Sequence, residues 1–267
     1  MEVKILGTIQ DAGIPHINCQ CENCLMSNPK SNFVASIAII AESKTYIIDC
    51  TPDFPHQLSY LEKNTSEIDG IFITHLHIGH YIGLVYLGRE AASVQDMKIY
   101  ATMENLLFLQ NNKPFSHLIE RGEIECHEIK YNLSMDLTTK ISIIPFEVPH
   151  RNEDGNTAGF LISGSKSIVY IPDLDYYSDD VLKKIEEADI ALIDGSFYSK
   201  SEIIRQKEIP HPPITLSIDK LRNFDTRIIF THFNHSNPIL RSDSKEYKDV
   251  ISKGFEIAKV GMTISLQ

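Results

Sequence analysis

Short β-rich runs separated by amphipathic helical segments recur along the whole chain, and this alternation restricts the folds that it can adopt. Each run ends in polar or turn-forming residues, and proline and glycine are scattered as turn residues rather than pooled in a linker. The pattern predicts a layered α/β architecture with two sheets and outer helices. The predicted strands are Val3–Leu6, Phe33–Ala41, Lys44–Ile48, Gly70–Ile73, Lys140–Pro145, Ala158–Ile162, Ser167–Ile171, Ile190–Ile193, Arg227–Phe230 and Met262–Leu266. The predicted helices are Asp53–Lys63, Tyr81–Ser93, Met103–Gln110, Asp179–Glu187, Thr215–Asn223 and Ser244–Lys253.

Length and composition fit one domain that covers residues 1–267, because no segment reads as a linker or a repeat. Acidic side chains outnumber basic ones by 36 to 25, and the formal net charge is −11. A negatively charged surface repels a phosphate backbone, so we expect no long nucleic acid as partner. The sequence also contains no secretion signal and no apolar run of about 18 residues. We therefore expect a cytoplasmic protein without a membrane partner, and a homodimer stays open.

Three histidines lie within six residues, directly after the predicted strand that ends at Ile73. They are His75, His77 and His80. Residues two apart in an extended segment project to the same side, so His75 and His77 can face one ion while His80 reaches a neighbouring one. The alternative is three solvated surface histidines. Metal binding is the stronger interpretation, because histidine is the commonest metal ligand and this density is unusual for a loop.

This segment resembles the HxHxDH signature of the metallo-β-lactamase superfamily, in which the first two histidines serve one metal and the aspartate and last histidine serve a second. The resemblance continues in chain order at Asp49, His150, Asp173 and His232. It implies an αββα sandwich, with two mixed sheets and outer helices. It also implies catalytic roles for Asp173, His232 and Asp49, the last by orienting the ligands. The implied sites are His75, His77 and His150 with Asp173 bridging, and His80, Asp173 and His232.

One position departs from the signature, because Gly79 stands where the superfamily has its aspartate. The loss puts the second metal site and ordinary two-metal hydrolysis in question. Asp11 lies in a loop that, by the same resemblance, passes close to the metals. It is therefore a candidate replacement ligand, and an exposed turn aspartate is the alternative interpretation.

Three of the five cysteines are clustered, at Cys19, Cys21 and Cys24. An odd number of cysteines makes a disulfide framework a poor interpretation, whereas three thiolates in one loop suit a tetrahedral zinc that needs one more ligand. The alternative is three reduced, half-buried thiols without an ion.

Within the superfamily, this loop resembles the CxCxxC loops of the PhnP phosphodiesterases and of the pyrroloquinoline quinone biosynthesis protein B (PqqB) family. The PhnP pattern has a histidine three residues after a metal ligand that completes the structural zinc, and His235 occupies that place. An ordinary surface-loop histidine is the alternative for His235. The segments Asp49–Asp53, Ile193–Tyr198 and Ser236–Leu240 are more similar to PqqB, so the overall resemblance favours that family over nearly the full length.

The resemblance implies a metal-dependent hydrolase of a small anionic ester, phosphodiesterase-like, with a small-molecule substrate. Its cofactors would be a structural zinc and zinc, manganese or iron in the active site. One alternative is a PqqB-like non-haem iron oxygenase that acts on an amino-acid-derived substrate, because two histidines and a carboxylate also form the iron-binding facial triad. His75 and His77, which the PqqB pattern lacks, favour the hydrolase. A non-catalytic metal-binding protein is the third alternative, suggested by Gly79. His16 and His211 are candidates for substrate contact or for ordinary loop packing.

Overall fold

The computed structural model describes residues 1–27, 32–153, 155–202 and 209–266, and within these ranges the chain forms two seven-stranded β-sheets. The first sheet is parallel across its last four strands and antiparallel elsewhere. In order across the sheet its strands are β14 (Thr263–Ser265), β1 (Glu2–Gly7), β2 (Ser36–Ala41), β3 (Lys44–Ile48), β4 (Gly70–Phe72), β5 (Met97–Ala101) and β6 (Ile124–Glu128).

The second sheet has the same mixed character, parallel across four strands and antiparallel across the rest. In order across the sheet its strands are β13 (Glu256–Ile257), β12 (Arg227–Thr231), β11 (Ile190–Asp194), β10 (Ser167–Ile171), β9 (Ala158–Ser163), β8 (Ser142–Glu147) and β7 (Met135–Asp136). The helices of the described residues are α1 (Glu22–Leu25), α2 (Phe54–Leu61), α3 (Ile78–Tyr81), α4 (Met103–Asn111), α5 (Phe115–Glu120), α6 (Asp179–Glu186), α7 (Ile214–Leu221) and α8 (Lys245–Ser252). Short 3₁₀ segments cover Thr65–Glu67, Ile82–Leu87, Lys200–Glu202 and Pro238–Leu240.

The alternation of side chains along the strands divides the apolar residues between three layers. In β2, Ile37 and Ile39 point between the two sheets, while Ala38 points to the outer helices. In β11, Leu192 faces the layer between the sheets and Ile193 faces the helices on the other side. Helices α2, α4 and α5 cover the first sheet, and α6, α7 and α8 cover the second. This arrangement confirms the predicted αββα sandwich.

One predicted element is wrong, because the long helix expected over Tyr81–Ser93 does not form. The chain continues from α3 into the 3₁₀ segment Ile82–Leu87 and then turns. Gly83 explains the break: its N–H donates to the carbonyl of Cys50 (2.9 Å), and a Cβ there would lie 2.1 Å from the carbonyl oxygen of Thr51. Packing against the loop after β3 thus overrides the local helical pattern.

The sandwich brings several strand ends to one edge. Strands β3 and β4 of the first sheet and β10, β11 and β12 of the second are parallel to their neighbours, so the loops that follow them meet at a common edge. The polar residues of these loops are the ones available for a site. Over the described residues, none of the helices has the length and apolar character required to cross a bilayer.

Candidate metal centre

The predicted ligands meet where these loops converge. His75, His77 and His80 follow β4, while His150, Asp173 and His232 follow β8, β10 and β12. The backbone of His232 is left-handed (φ 60°), a conformation that costs a non-glycine residue of the order of 1 kcal/mol. Such strain is concentrated at functional sites.

The residues of the first predicted ligand set lie together in the fold. His75, His77, His150 and Asp173 each offer one ligand atom, and these atoms all lie within 4.8 Å of one another. The Nδ1 of His77 is 3.1 Å from Nε2 of His150, and Asp173 oxygens lie 3.6 Å from Nε2 of His75 and 3.7 Å from Nε2 of His150. Metal–nitrogen bonds of about 2.0–2.1 Å place neighbouring ligand atoms about 3.3 Å apart in a tetrahedral site. The observed spacings fit such a site.

The second ligand set lies on the other side of Asp173. The Nε2 atoms of His80 and His232 lie 3.1 Å and 3.0 Å from Oδ2 of Asp173. Asp11 completes a cluster with the two histidines, and its Oδ1 is 3.5 Å from Nε2 of His80. Asp173 therefore faces both sets, as a bridging carboxylate would.

Unsatisfied buried atoms test whether a metal fits these sets. A buried polar atom without a hydrogen bond costs roughly 1–3 kcal/mol, so native folds avoid such atoms or bind something there. The Nε2 atoms of the second set lie near Asp173 but are not aligned for hydrogen bonds to it. The buried side-chain atoms of the ligand sets that lack a hydrogen-bond partner among the described residues are His75 Nε2, His80 Nε2, His232 Nε2 and Asp173 Oδ2. All four point to the positions where ions would lie, so the residues fit a metal.

The opposite nitrogens of these rings are fixed by hydrogen bonds, which selects the tautomer. His80 donates from Nδ1 to Asp49 (2.7 Å), and His150 donates from Nδ1 to Asp175 (2.8 Å). His232 donates from Nδ1 to the hydroxyl of Ser196, whose own proton goes to the His232 carbonyl. Each ring therefore keeps its Nε2 lone pair for a metal, the usual arrangement around ligating histidines.

Asp49 is fully buried behind the ligands and has a left-handed backbone (φ 72°). It accepts hydrogen bonds from the backbone N–H of Thr74 (2.8 Å) and from the Thr74 hydroxyl, which in turn accepts from Nδ1 of His75 (2.9 Å). The Asp49 carboxylate thus orients His75 through the Thr74 hydroxyl and holds His80 directly. Its position fits the orienting role predicted for it.

In the absence of a metal ion, the histidines of the site differ in the direction of their pKa shifts. Burial lowers the pKa of His75 well below its ordinary value, which favours the neutral form that binds metal. Burial also acts to lower the pKa of His80, but Asp49 and Asp173 raise it well above its ordinary value. Burial acts to raise the pKa of Asp173, yet the surrounding histidines lower it well below the usual range. A cation that enters the second set must therefore displace a proton.

For His211, the sequence leaves two interpretations open, substrate contact and loop packing. The structure places this residue in the metal centre. Its Nδ1 donates to Asp194, its Nε2 is 3.8 Å from Asp173, and Nη2 of Arg151 lies 3.1 Å from that Nε2. Burial acts to lower the pKa of His211, but Asp194 raises it to about 9. Two neighbouring basic groups therefore face this side of the metals, an arrangement that favours an anion bound beside both.

The sequence did not predict site roles for Asp175, Asp194 or Arg151. A signal existed for the first two, since Asp175 lies two residues after Asp173 and Asp194 ends the strand next to β10. Carboxylates at the ends of adjacent parallel strands are expected to be neighbours.

The cysteine cluster is also assembled. Sγ atoms of Cys19, Cys21 and Cys24 lie 3.5, 3.5 and 3.6 Å from Nδ1 of His235. Bonds of about 2.3 Å to sulfur and 2.0–2.1 Å to nitrogen place tetrahedral ligands about 3.6 Å apart, so the spacing fits one zinc-sized ion. We call these four residues the cysteine knuckle. The ring of His16 lies against His235, with centroids 4.3 Å apart, outside the ligand set.

A cavity of about 530 Å³ opens between the metal centre and the cysteine knuckle. Asp11, His211 and Arg151 line it on the side of the metal centre, and His16 and His235 line it on the other. Its size suits a small molecule.

An αββα sandwich with two adjoining His/Asp ligand sets at one edge defines a metal-binding protein of the metallo-β-lactamase type. A family model described as beta-lactamase superfamily domain matches residues 44–233, and the chain belongs to this superfamily. The signature identified the family correctly.

Coenzyme PQQ synthesis protein B from Methylobacterium sp. strain 4-46 is 27% identical to this chain over the full length of both proteins. The Rhizobium meliloti protein of the same name is 26% identical over the whole chain and 98% of its own length. Zn²⁺-bound PqqB from Methylobacterium extorquens has the same fold, with a TM-score of 0.86 and 24% identity over the full length of both chains. A diphosphatase of the PhnP family matches 98% of this chain and 96% of its own, with a TM-score of 0.77 and 21% identity. The predicted resemblance to both groups is confirmed.

Proposed function

We propose that this chain is a metal-dependent hydrolase of a small anionic ester, phosphodiesterase-like in its chemistry. The observation that carries the proposal is the position of Asp173, whose carboxylate faces both ligand sets. The residues of each set would hold one metal ion, and the shared carboxylate would place the two ions side by side, as in two-metal hydrolases.

When bound, two such ions would lower the pKa of a bound water to about 7 and would stabilise the negative charge that develops on the ester. The chain's own residues position the reactants around them. Asp49 holds His75 and His80 in one orientation through the hydrogen bonds described above. His211 and Arg151 face the cavity as a basic pair, and an anionic ester oxygen bound beside both would relieve the repulsion of their charges.

The same reasoning extends to cofactors and partners. Zinc or manganese suits the two His/Asp sets in a hydrolase, and zinc suits the closed Cys₃His set of the cysteine knuckle. The net charge of −11 favours a small anionic substrate drawn to a local basic pair over a long nucleic acid. A membrane is not part of the proposal, and a homodimer is compatible with it.

A second candidate is an iron-dependent oxygenase that acts on an amino-acid-derived substrate. It is supported by the name of the full-length relatives, Coenzyme PQQ synthesis protein B. His80, His232 and one carboxylate also make the two-histidine, one-carboxylate set that non-haem iron oxygenases use. The complete first set, with His75 and His77, favours the hydrolase, because an oxygenase would need the second set alone.

One comparison separates these functions. Protein purified without added metal is analysed for zinc, manganese and iron, then assayed with bis(p-nitrophenyl) phosphate in air and under nitrogen. A hydrolase cleaves the phosphodiester equally in both atmospheres, and His75→Ala reduces its kcat about 100-fold or more. An oxygenase leaves the phosphodiester intact, because its cleavage is redox-neutral and uses no oxygen. Tight metal binding without cleavage of the phosphodiester would overturn the proposal, and iron as the bound metal would then favour the oxygenase over a non-catalytic metal-binding protein.

A further inference from the structure

A carboxylate from the N-terminal loop reaches the second ligand set. Asp11 lies far from the other ligands in sequence, yet its Oδ1 is 3.5 Å from Nε2 of His80, and it clusters with His80 and His232. Nε2 of both histidines is buried and lacks a hydrogen-bond partner among the described residues. Asp11 therefore approaches two buried atoms that lack a hydrogen-bond partner.

The approach of Asp11 depends on the absence of a side chain at Gly79. A Cβ at position 79 would lie 2.5 Å from both Cα and Oδ1 of Asp11 and 3.0 Å from its Cβ. Gly79 has an ordinary backbone conformation within α3, so glycine is not required there by a positive φ. The missing side chain of Gly79 instead leaves the space that Asp11 occupies. The N–H of Gly79 also donates to Oδ1 of Asp11 (3.0 Å), which fixes the carboxylate against the helix start.

The loop that carries Asp11 is fixed by backbone contacts on both sides. Ile9 forms β-bridges with Val34 and with Phe233, and the N–H of Gln10 donates to the carbonyl of Phe233 (3.0 Å). Phe233 follows His232 directly, so the same contacts join Asp11 to its neighbouring ligand. A residue that binds a metal directly needs such a supported position, since coordination tolerates little displacement.

We propose that Asp11 is a metal ligand of the second site, and that Asp11 and Gly79 form one unit in which the carboxylate of residue 11 occupies the place of a side chain at 79. The inference rests on the proposed two-metal centre and adds a ligand from a different part of the chain. It also makes a single substitution at either position harmful. A single aspartate at 79 would collide with Asp11, whereas an aspartate at 79 combined with glycine at 11 would restore one carboxylate in one space.

The test is zinc binding by the full-length chain, measured by elemental analysis and by competition with a chromogenic chelator. The variants are Asp11→Asn, Gly79→Asp and the double exchange Asp11→Gly with Gly79→Asp. Asp225→Asn, a change at an exposed aspartate, is the matched control. Asparagine keeps the hydrogen bond from Gly79 and removes only the charge, so a purely structural role for Asp11 would leave zinc binding unchanged.

We expect the wild type and the control to bind three zinc ions per chain, one in the cysteine knuckle and one in each His/Asp set. Mutation of a residue that only hydrogen-bonds to a metal ligand already lowers metal affinity about 10–100-fold. Asp11→Asn and Gly79→Asp should therefore each lower the zinc affinity of the second site by more than about tenfold. The double exchange should bind within a few-fold of the wild type. Wild-type affinity in Asp11→Asn would overturn the role of Asp11 alone and leave the two-metal centre standing.

A wild type that binds only one zinc outside the cysteine knuckle would overturn both the inference and the two-metal centre. If Gly79→Asp or the double exchange fails to fold, as judged by circular dichroism, Asp11→Asn still decides the question because it is isosteric.

Discussion

The cysteine knuckle offers the sharpest test of the metal assignments, through removal of its single nitrogen donor. The substitution His235→Ala leaves three sulfurs around the position that the 3.5–3.6 Å spacings define. A metal present at about 1,000 times its Kd stabilises the folded state by about 4 kcal/mol. At about 2–4 °C per kcal/mol for a chain of this size, loss of that metal lowers Tm by about 8–16 °C.

The control is His16→Ala, which removes an imidazole from the same corner without removing a ligand. Zinc per chain is measured after dialysis that removes unbound metal, and Tm is measured with and without a chelator. The His235→Ala variant should contain one zinc fewer than the wild type, and chelator should lower its Tm by less than it lowers that of the wild type. Full zinc content and an unchanged Tm in His235→Ala would refute the assignment.

Proton release provides a second readout for the same site. Without an ion, burial raises the pKa of the Cys24 thiol to about 11. A thiol binds zinc only as the thiolate, so zinc binding must release this proton at neutral pH. Titration of the metal-free protein in a weakly buffered solution should therefore acidify it, and His235→Ala should release fewer protons.

The substitution also has a consequence at the metal centre, because His235 lies three residues after His232. The segment between them is held by hydrogen bonds from Phe233 to Thr8 (2.7 Å) and from Asn234 to Ser196 (2.9 Å). Loss of the knuckle metal frees one end of this segment. The second ligand set should therefore lose affinity, while the first set, built on other loops, keeps its own.

Three further outcomes follow from the same contacts. His75→Ala should remove the metal of the first set, counted by elemental analysis, and leave the circular dichroism spectrum unchanged, because open-site ligands serve chemistry more than folding. Asp49→Asn should weaken the second set about 10–100-fold in a zinc titration, since His80 loses the carboxylate that accepts from its Nδ1. For the metal-free protein, the raised pKa of His211 adds about 3 kcal/mol to the free energy of unfolding. This stabilisation is fully present below the ordinary histidine pKa of 6.5 and is lost as the pH rises through about 9. Asp194→Asn should flatten this pH dependence in urea unfolding.

Three of the ligands could be predicted because their signal is local. His75, His77 and His80 are close in sequence at a strand end, and that density indicates a metal before any tertiary contact is known. His150 and His232 are different, since each stands alone in its loop. Only the resemblance to a known family identified them.

Other features required the tertiary structure. Strands β5 and β6 and helix α5 were not predicted, because β5 and β6 are edge-side strands of mixed polarity whose burial depends on α4 and α5. The hydrogen bonds from His150 to Asp175 and from His211 to Asp194 join residues 25 and 17 positions apart, which no local pattern reveals. The ring of His211 could not be separated from an ordinary loop histidine until its partner Asp194 was known.

Gly79 shows why a departure from a motif has meaning only in three dimensions. In the sequence, the glycine before His80 reads as a lost ligand and suggests a weakened or inactive site. In the fold, the volume that a side chain at 79 would occupy contains Cα and Oδ1 of Asp11, so the two positions exclude each other. The exclusion also works in reverse: a chain with an aspartate at position 79 has no room for the loop of residue 11 at its present distance. Glycine at 79 should therefore occur with an acidic residue at 11 among relatives of this chain, and a relative with aspartate at 79 should carry a small residue or a retracted loop at 11. Frequent aspartate at both positions would contradict this account of the glycine.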